Sequence, residues 1–413
     1  MRELLFLAHR IPYPPDKGDK IRSFHLLQHL ARRYRVHLGA FIDDDRDWDH
    51  VASLERMCGE TCFVPMRAAR AKLRSLVALA TGEPLTLRYF RDARLARWVE
   101  ERLRTRRVDR ALVFSSAMAQ YLAEASAGAV RRVLDFVDLD SDKWRQYGER
   151  SRGPLRWLYR REAATLFKLE RRYAATFDAS LFVSGAEARL FTAQAPEVAA
   201  RVSVVENGVD TDYFSPQRAY PTPYARNEAV LVFTGAMDYW ANVDAVTWFA
   251  RTVFPLVRTG CPEARFYIVG TRPTREVRAL AELPGVQVTG AVADTRPYLA
   301  YARAAVAPLR IARGVQNKVL EAMAMARPVV ASPQAVAAIR PCAELQELTS
   351  EAPEAAARLL LTLLRGPTRA ALGDALRAHV LRHYNWHENL SRVDAILEGG
   401  ASARAGEPQD GRR

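Results

Sequence analysis

The sequence predicts an α/β fold of two domains, each built on a parallel sheet. Two observations support this prediction. Short apolar and β-branched runs alternate with helical stretches, and this alternation begins afresh after a proline-rich, polar stretch that follows residue 216. A chain of 413 residues is long enough to form two sizeable cores. Open α/β sheets bind ligands at the carboxyl ends of their strands, so we expect the functional residues there.

The first domain is predicted to span residues 1–218. Its predicted strands are 4–8, 36–42, 62–65, 111–115, 133–137, 179–183 and 202–205, and residues 154–177 form a long basic helix. Gly18 lies where the first strand gives way to the first helix, among charged residues, and is expected in a loop that faces a ligand.

Four aspartates lie in or just after the fifth predicted strand: Asp135, Asp138, Asp140 and Asp142. A carboxylate at a strand's carboxyl end orients an acceptor hydroxyl, acts as a base or holds a divalent ion. The same residues are typical of a capped turn. The sequence leaves both interpretations open.

The second domain is predicted over residues 219–384, with strands at 229–235, 264–269, 286–289, 304–307 and 329–331. Gly235, Gly270 and Gly290 each close a strand, so the three turns share one edge of the sheet. Residues 385–398 are predicted to form a helix that crosses back to the first domain, and residues 399–413 a disordered tail.

The formal net charge of +14 reflects basic stretches with interspersed aromatic residues at 67–110 and 131–172. Such segments suit an anionic membrane surface or nucleic acid, and they also occur as solvated arginine-rich helix faces. The chain has no run of 18 apolar residues, and its four cysteines are sparse. We therefore expect a reduced, cytoplasmic protein, peripheral at most on the inner face of the plasma membrane.

The stretch 311–332 is the strongest candidate for chemistry. Lys318 and Glu321 are three residues apart and share a helix face, and Glu321 stands among apolar neighbours. A carboxylate there needs a partner, and ligand hydroxyls are one. Gly314 precedes the helix, whose N-terminus and Lys318 suit a phosphate. A sugar nucleotide meets both requirements; a structural Glu–Lys pair is the alternative.

Several longer motifs make a family resemblance visible. They are RIPYPPDKGDKIRSFHLL, DFVDLDSDKW, FVSGAEARLF, VVENGVDTDYFSP, FTGAMDYWANVDAVTWF and GVQNKVLEAMAMARPVVAS. With these the chain resembles the GT-B glycosyltransferases of the retaining group called family 4. It looks most like the sugar transferases associated with PEP-CTERM/exosortase exopolysaccharide systems. The resemblance implies two Rossmann-like domains that face a cleft.

The resemblance also implies roles for individual residues. Glu321 matches the glutamate that holds the donor's ribose. The other implied donor-binding positions are Gly314, Val315, Gln316, Asn317 and Lys318 for the diphosphate, Gly290 and Val292 for the nucleobase, Gly235, Met237 and Asp238 in the first loop of the donor domain, and Gly18 in the loop that closes over the phosphates. Asn207, Gly208 and Asp210 match the hinge motif at the cleft.

Two departures change the expected chemistry. Arg313 replaces the family's first glutamate, eight positions before Glu321, and an arginine there can neutralise the diphosphate alone or with Arg310. Asp138 stands where many relatives carry a histidine, and it is expected to take the acceptor-side role. The expected catalytic group is thus Glu321, Lys318, Asp138 and Arg313.

The expected function is that of a hexosyltransferase in exopolysaccharide biosynthesis, retaining, with no cofactor and no metal. Its expected partners are a nucleotide sugar, a saccharide or lipid-linked acceptor, and an anionic membrane surface, but not nucleic acid. A sugar-nucleotide epimerase or hydrolase is an alternative enzyme. A catalytically degenerate GT-B protein that only binds nucleotide sugar or polysaccharide is an alternative of another class.

Overall fold

A computed structural model of the chain describes residues 1–15, 18–105, 108–123, 130–225, 228–312, 314–366 and 370–400. The chain folds as two compact units. The first comprises Met1–Glu206 and the stretch that begins at Glu388, and the second comprises Asn207–His387. The predicted boundary near residue 218 therefore lies inside the second unit.

The first unit is built on a parallel sheet with the strand order β3-β2-β1-β4-β5-β6-β7. Its strands are β1 (Arg2–Ala8), β2 (Tyr34–Ile42), β3 (Glu60–Pro65), β4 (Val108–Phe114), β5 (Arg131–Val137), β6 (Ala179–Phe182) and β7 (Val202–Val204). The central strands are continuous apolar runs because helices cover both faces of such a sheet; in β1, for example, Leu4, Leu5 and Phe6 are fully buried.

The helices of the first unit run between these strands. They are α1 (Gly18–Leu30), α2 (Val51–Glu55), α3 (Ala68–Ser75), α4 (Ala78–Thr81), α5 (Leu85–Tyr89), α6 (Ala93–Thr105), α7 (Gln120–Ala123), α8 (Asp140–Arg150), α9 (Gly153–Thr176) and α10 (Gly185–Gln194). Single 3-10 turns occur at Asp45–His50, Ser116–Ala119 and Pro196–Arg201.

The second unit has a five-stranded parallel sheet with the order β10-β9-β8-β11-β12. Its strands are β8 (Ala229–Thr234), β9 (Ala264–Val269), β10 (Val286–Gly290), β11 (Ala304–Ala307) and β12 (Val329–Ala331). Its helices are α11 (Trp240–Trp248), α12 (Phe254–Gly260), α13 (Arg275–Ala279), α14 (Arg296–Tyr301), α15 (Asn317–Ala324), α16 (Pro333–Val336), α17 (Ala343–Glu347), α18 (Pro353–Arg365) and α19 (Ala370–His383). A π-helical segment, Phe249–Val253, joins α11 to α12, and a 3-10 turn covers Leu280–Glu282.

The last helix, α20 (Trp386–Leu397), begins in the second unit and belongs to the first from Glu388 onward. Within the first unit Asp394 accepts hydrogen bonds from His29 and Arg33, and the Arg131 guanidinium donates to the carbonyl of Ile396. Sequence patterning predicted this helix. The predicted disordered tail lies, apart from residues 399–400, outside the described residues.

Both sheets confirm the predicted α/β fold of two parallel-sheet domains. The proline-rich stretch after residue 216, whose composition suits a linker between domains, packs within the second unit. The Tyr224 hydroxyl donates to the Tyr298 carbonyl (2.7 Å), and the Tyr220 hydroxyl donates to the Ser215 carbonyl (2.9 Å). In the described ranges no helix has both the length and the hydropathy that a bilayer crossing requires.

Candidate functional site

The candidate donor site is organised by α15 in the second unit. Its apolar residues Val319, Leu320 and Met323 are fully buried, whereas Lys318 and Glu321 are only partly buried. Gly314 before the helix has a φ of 57°, in the left-handed region that favours glycine. The first backbone N–H groups of a helix have no partner within it, so they remain available to an anion.

Lys318 is held by a partner that the sequence alone did not indicate. Its ammonium donates to the Oδ1 atom of Asn242 (2.6 Å) and lies 4.1 Å from the centre of the Phe233 ring. The Nδ2 atom of Asn242 in turn donates to the carbonyl of Ala236 (2.9 Å). This chain of contacts links α15, α11 and the loop after β8.

Gly235 and Gly270 bring the loops after β8 and β9 together. A Cβ atom on Gly270 would lie 1.6 Å from the Gly235 carbonyl oxygen, so no side chain fits there. A Cβ atom on Gly235, where φ is 155°, would lie 2.8 Å from Asn242 Nδ2 and 3.1 Å from Lys318 Nζ. Glycine at position 235 therefore leaves room for the Lys318–Asn242 contact, and glycine at position 270 leaves room for the Gly235 carbonyl.

The surroundings change the protonation of both charged residues on α15. Burial lowers the pKa of Lys318 to about 7, although the charge of Glu321 opposes this. Burial also raises the pKa of Glu321 to about 7, and the charge of Lys318 opposes that shift. Among the described residues no side chain or backbone group donates a hydrogen bond to the Glu321 carboxylate. A ligand with hydroxyl and phosphate groups would stabilise both charged forms.

A second set of residues near Glu321 was missed by sequence reasoning. The guanidinium of Arg296 lies 3.7 Å from the centre of the Tyr213 ring and forms a bidentate pair with Asp294 (2.9 and 2.7 Å). Burial raises the pKa of Tyr213, and the charges of Asp294 and Glu321 add to this effect. Tyr213 lies in the NGVDTDYF motif and Asp294 lies shortly after β10. Only the fold shows that Arg296 contacts both of them.

Several predicted donor-binding residues have partners within the protein. Asp238 pairs with Arg272 (2.8 Å), and the bidentate partner of Arg310 is Asp244 (2.9 Å). Met237 is fully buried, and its backbone N–H donates to the Thr271 carbonyl. Their roles toward a donor stay predictions.

Other predicted residues lie at the ends of elements. Gly290 ends β10 with a φ of 70° and is followed by partly buried Val292. Val315 is buried, Gln316 is the N-cap residue of α15, and the Oδ1 atom of Asn317 is buried without a hydrogen-bond partner in the described chain. Arg313 lies outside the described residues.

Arg310 also lines a cavity together with Trp248, Phe249, Ser332 and Gln334. Lys318 and Glu321 do not line this cavity.

The predicted hinge residues fix the start of the second unit. Gly208 packs against Trp386, with its Cβ position 2.6 Å from the indole. Val209 donates its N–H to the Tyr384 carbonyl (2.8 Å), and Asp210 accepts from the Tyr213 N–H (2.8 Å). Asn207 is buried where the unit begins.

In the first unit the four aspartates have separate environments. Asp135 is fully buried against Arg22 (2.8 Å), and Asp142 pairs with Arg145. Asp138 remains partly buried at the carboxyl end of β5, next to Val137, whose φ is 68°. Positive φ in a β-branched residue is strained and is common near functional sites. No cluster of three or more ligand-type side chains suited to a metal occurs in the described part of the chain.

Gly18 opens α1, and next to it lies a histidine–carboxylate pair that the sequence did not indicate. The Nε2 atom of His9 lies 3.2 Å from Asp19, and Arg10 bridges Asp19 (2.5 Å) and Asp43 (3.0 Å). Burial alone would raise the pKa of Asp19, but the His9 hydrogen bond and the Arg10 charge hold it well below its usual range. His9 follows β1 and stacks on Phe114 at the end of β4, where the strand order of the sheet reverses.

Comparison with known proteins agrees with this architecture. Residues 228–365, in the second unit, match the model of the family described as Glycosyl transferases group 1. No sequence among the curated proteins matches the chain.

Three solved structures illustrate the shared fold. Anabaena HepE, solved in complex with UDP-glucose, is 15% identical with a TM-score of 0.67, covering 97% of this chain and 100% of that one. WaaG, a glycosyltransferase of lipopolysaccharide biosynthesis, is 17% identical with a TM-score of 0.64, covering 96% and 100%. A glycosyltransferase from Rickettsia africae is 14% identical with a TM-score of 0.65, covering 96% and 98%. The fold is GT-B, and together with the matched domain it supports a GT-B glycosyltransferase.

Proposed function

We propose that this protein transfers a sugar from a nucleoside diphosphate sugar to a saccharide or lipid-linked acceptor in exopolysaccharide biosynthesis. In this proposal the second unit binds the donor and the first unit binds the acceptor. The enzyme works in the cytoplasm at the anionic inner face of the plasma membrane, retains the anomeric configuration and needs neither cofactor nor metal. Its association with PEP-CTERM/exosortase systems rests on the sequence resemblance.

One observation carries the proposal. Lys318, anchored by Asn242, and Glu321, whose carboxylate accepts no hydrogen bond from the described residues, share the first turns of α15. A diphosphate at the N-terminus of this helix supplies negative charge to Lys318, and ribose hydroxyls donate to Glu321. A nucleoside diphosphate sugar is therefore a ligand that provides a partner for the charge of each side chain.

The same residues suit the chemistry of transfer. As the bond between the anomeric carbon and the diphosphate oxygen breaks, the electron pair leaves with the diphosphate. The acceptor oxygen forms the new bond, and its proton passes to the departing diphosphate oxygen. Lys318 and the helix N–H groups stabilise the charge on the leaving diphosphate, which is the role a metal has in other transferases. In the first unit Asp138 orients the acceptor hydroxyl.

The test begins with donor binding. Thermal-shift measurements with UDP-, GDP-, dTDP- and ADP-sugars identify the base, because a ligand that binds only the folded protein raises its melting temperature. UDP-glucose is the first donor to test, since HepE was solved with it. We expect Glu321→Gln to reduce the shift and the exposed-site control Glu282→Gln to leave it unchanged.

Turnover then separates the candidate functions. A saccharide acceptor that gains a sugar with the donor's anomeric configuration, also in the presence of a chelator, supports the proposal. Product formed from the donor alone indicates an epimerase or hydrolase. Donor binding without turnover across a wide acceptor panel indicates a degenerate binding protein. Undiminished activity of Glu321→Gln would contradict the assigned site.

A further inference from the structure

Helices α3 and α4 of the first unit present their large apolar side chains to solvent. Their buried positions hold small residues, Ala71, Ser75 and Ala78, whereas Leu73 is 72% exposed. The other exposed aliphatic side chains of this stretch are Leu76, Val77 and Leu79. An ordinary surface helix has the opposite arrangement, with its large apolar residues in the core. The outward aliphatic side chains therefore require a partner outside the unit.

The beginning of α9 continues this apolar surface. Trp157 is 62% exposed and Leu155 is exposed beside it. Arg161, one helical turn after Trp157 and on the same side of α9, donates to the carbonyls of Ala78 (2.6 Å) and Glu83 (3.2 Å). The start of α9 thus lies next to α4, and the two sets of apolar side chains are neighbours.

Basic residues surround these apolar side chains. Between residues 67 and 82, and again between 150 and 161, the sequence contains arginine and lysine but neither aspartate nor glutamate. Arg67, Arg70, Lys72, Arg152 and Arg156 are all exposed. We call this surface the basic–apolar face; it comprises Leu73, Leu76, Val77, Leu79, Leu155, Trp157 and these five basic residues.

We propose that the basic–apolar face binds an anionic lipid bilayer, with the aliphatic side chains and Trp157 inserted among the headgroups and the basic residues against lipid phosphates. Partly inserted helices with a basic rim bind membranes in this way, and tryptophan favours the membrane–water boundary. This inference identifies the membrane as a partner of the proposed transferase. It rests on the proposed function only in that the acceptor is taken to be lipid-linked.

Other occupants fit the face less well. A second copy docked through the same face would bring two positively charged surfaces together, which is unfavourable. Nucleic acid offers phosphates to the arginines, but it binds through bases stacked on aromatic rings and leaves a cluster of aliphatic side chains exposed. A bilayer matches both the charge and the apolar side chains.

The experiment measures binding of the full-length protein, without substrates, to phosphatidylcholine vesicles with and without phosphatidylglycerol. We expect binding that needs phosphatidylglycerol and a blue shift of tryptophan emission that Trp157→Phe largely removes. Removal of three cationic side chains, by Arg67→Ser, Arg70→Ser and Lys72→Ser together, should weaken vesicle binding on the order of 100-fold. Leu76→Ser with Val77→Ser should weaken it while the melting temperature and the donor-induced shift stay unchanged.

Matched control variants come from exposed residues of the second unit. Leu256→Ser with Leu381→Ser, and Arg251→Ser with Arg275→Ser and Arg278→Ser, should bind vesicles like the parent protein. Equal loss in the arginine control would mean that net charge alone acts, equal loss in the leucine control would mean that apolar side chains act at any position, and either would overturn the proposal. So would vesicle binding that survives the aliphatic and cationic variants, self-association through this face, or retention on DNA in place of vesicle binding. Donor binding is measured separately from vesicle binding. A failure of the membrane proposal is therefore distinguishable from a failure of the proposed transferase function.

Discussion

The ammonium of Lys318 and the amide oxygen of Asn242, 76 residues apart in the sequence, are 2.6 Å apart in the structure. Asn242 is buried and its Nδ2 atom is committed to the Ala236 carbonyl, so the orientation of its amide is fixed. A fixed acceptor limits the positions that a flexible lysine side chain samples, which prepares the cation for a diphosphate.

Asn242→Ala should weaken donor binding roughly tenfold or more, because Lys318 loses a charge-assisted hydrogen bond that holds it in place. Isothermal titration with the donor identified by thermal shift measures this loss. Thr247→Ala, on the same helix, is the control and should bind as the parent does. Equal affinities for Asn242→Ala and the parent would show that Lys318 needs no positioning.

Donor binding should change the protonation of the site, with a sign that reverses near pH 7. About one unit above pH 7 the empty site holds mostly neutral Lys318 and ionised Glu321. The diphosphate raises the pKa of Lys318, so binding takes up a proton. About one unit below pH 7 Glu321 is mostly protonated in the empty site. Ribose hydroxyls that donate to its ionised form lower its pKa, so binding releases a proton.

Calorimetry in buffers with different ionisation enthalpies measures both proton changes. Lys318→Met should abolish the uptake on the alkaline side, and Glu321→Gln should abolish the release on the acidic side. The phosphates of a sugar nucleotide are diesterified and do not titrate in this range, so the ligand adds no signal of its own. The same sign at both pH values would contradict the assignment of these two groups.

Tyr213→Ala should weaken donor binding about tenfold, whereas Tyr213→Phe should bind nearly as the parent does. The aromatic ring, rather than its hydroxyl, carries the stack with Arg296 that borders Glu321. Arg296→Lys should resemble the alanine variant, because lysine lacks the planar group that pairs with Asp294 through two hydrogen bonds. Donor titration of the three variants ranks them; a phenylalanine variant as weak as alanine would assign the effect to the hydroxyl.

Gly270→Ala should destabilise the second unit by about 2–4 kcal/mol, because its methyl group would overlap the Gly235 carbonyl and force two loops apart. Gly290→Ala is the matched comparison, since its φ is also positive but its Cβ position meets no atom within 4 Å. That variant should lose only about 1 kcal/mol from the left-handed backbone. Denaturant unfolding of both variants gives the difference, and similar losses would rule out the steric explanation.

Local patterns in the sequence predicted much of the fold. The apolar runs of β8 and β12 and the glycines at the ends of β8, β9 and β10 indicate the positions of these elements, because strand composition and positive φ are local properties. Lys318 and Glu321 were found for the same reason, since i,i+3 spacing on one helix needs no tertiary information.

The partners of the site residues were not predictable in this way. These partners depend on which strands are neighbours in each sheet, and no short segment of the sequence determines that order. They include Asn242, the Tyr213–Arg296 stack and the His9–Asp19 pair. The same limit explains Arg310, predicted near the diphosphate, and Asp238, predicted in the first donor-domain loop: they pair with Asp244 and Arg272.

The passage of α20 from one unit into the other has a consequence for synthesis. The second unit is one uninterrupted stretch, so it can close as soon as it leaves the ribosome. The first unit, although it is translated first, lacks Asp394 for His29 and Glu398 for Tyr34 until the residues beyond 388 emerge. A nonsense mutation late in the gene therefore removes contacts from the first unit, at the amino-terminal end of the chain. Chaperones would then have to cover the apolar surface that the first unit leaves exposed.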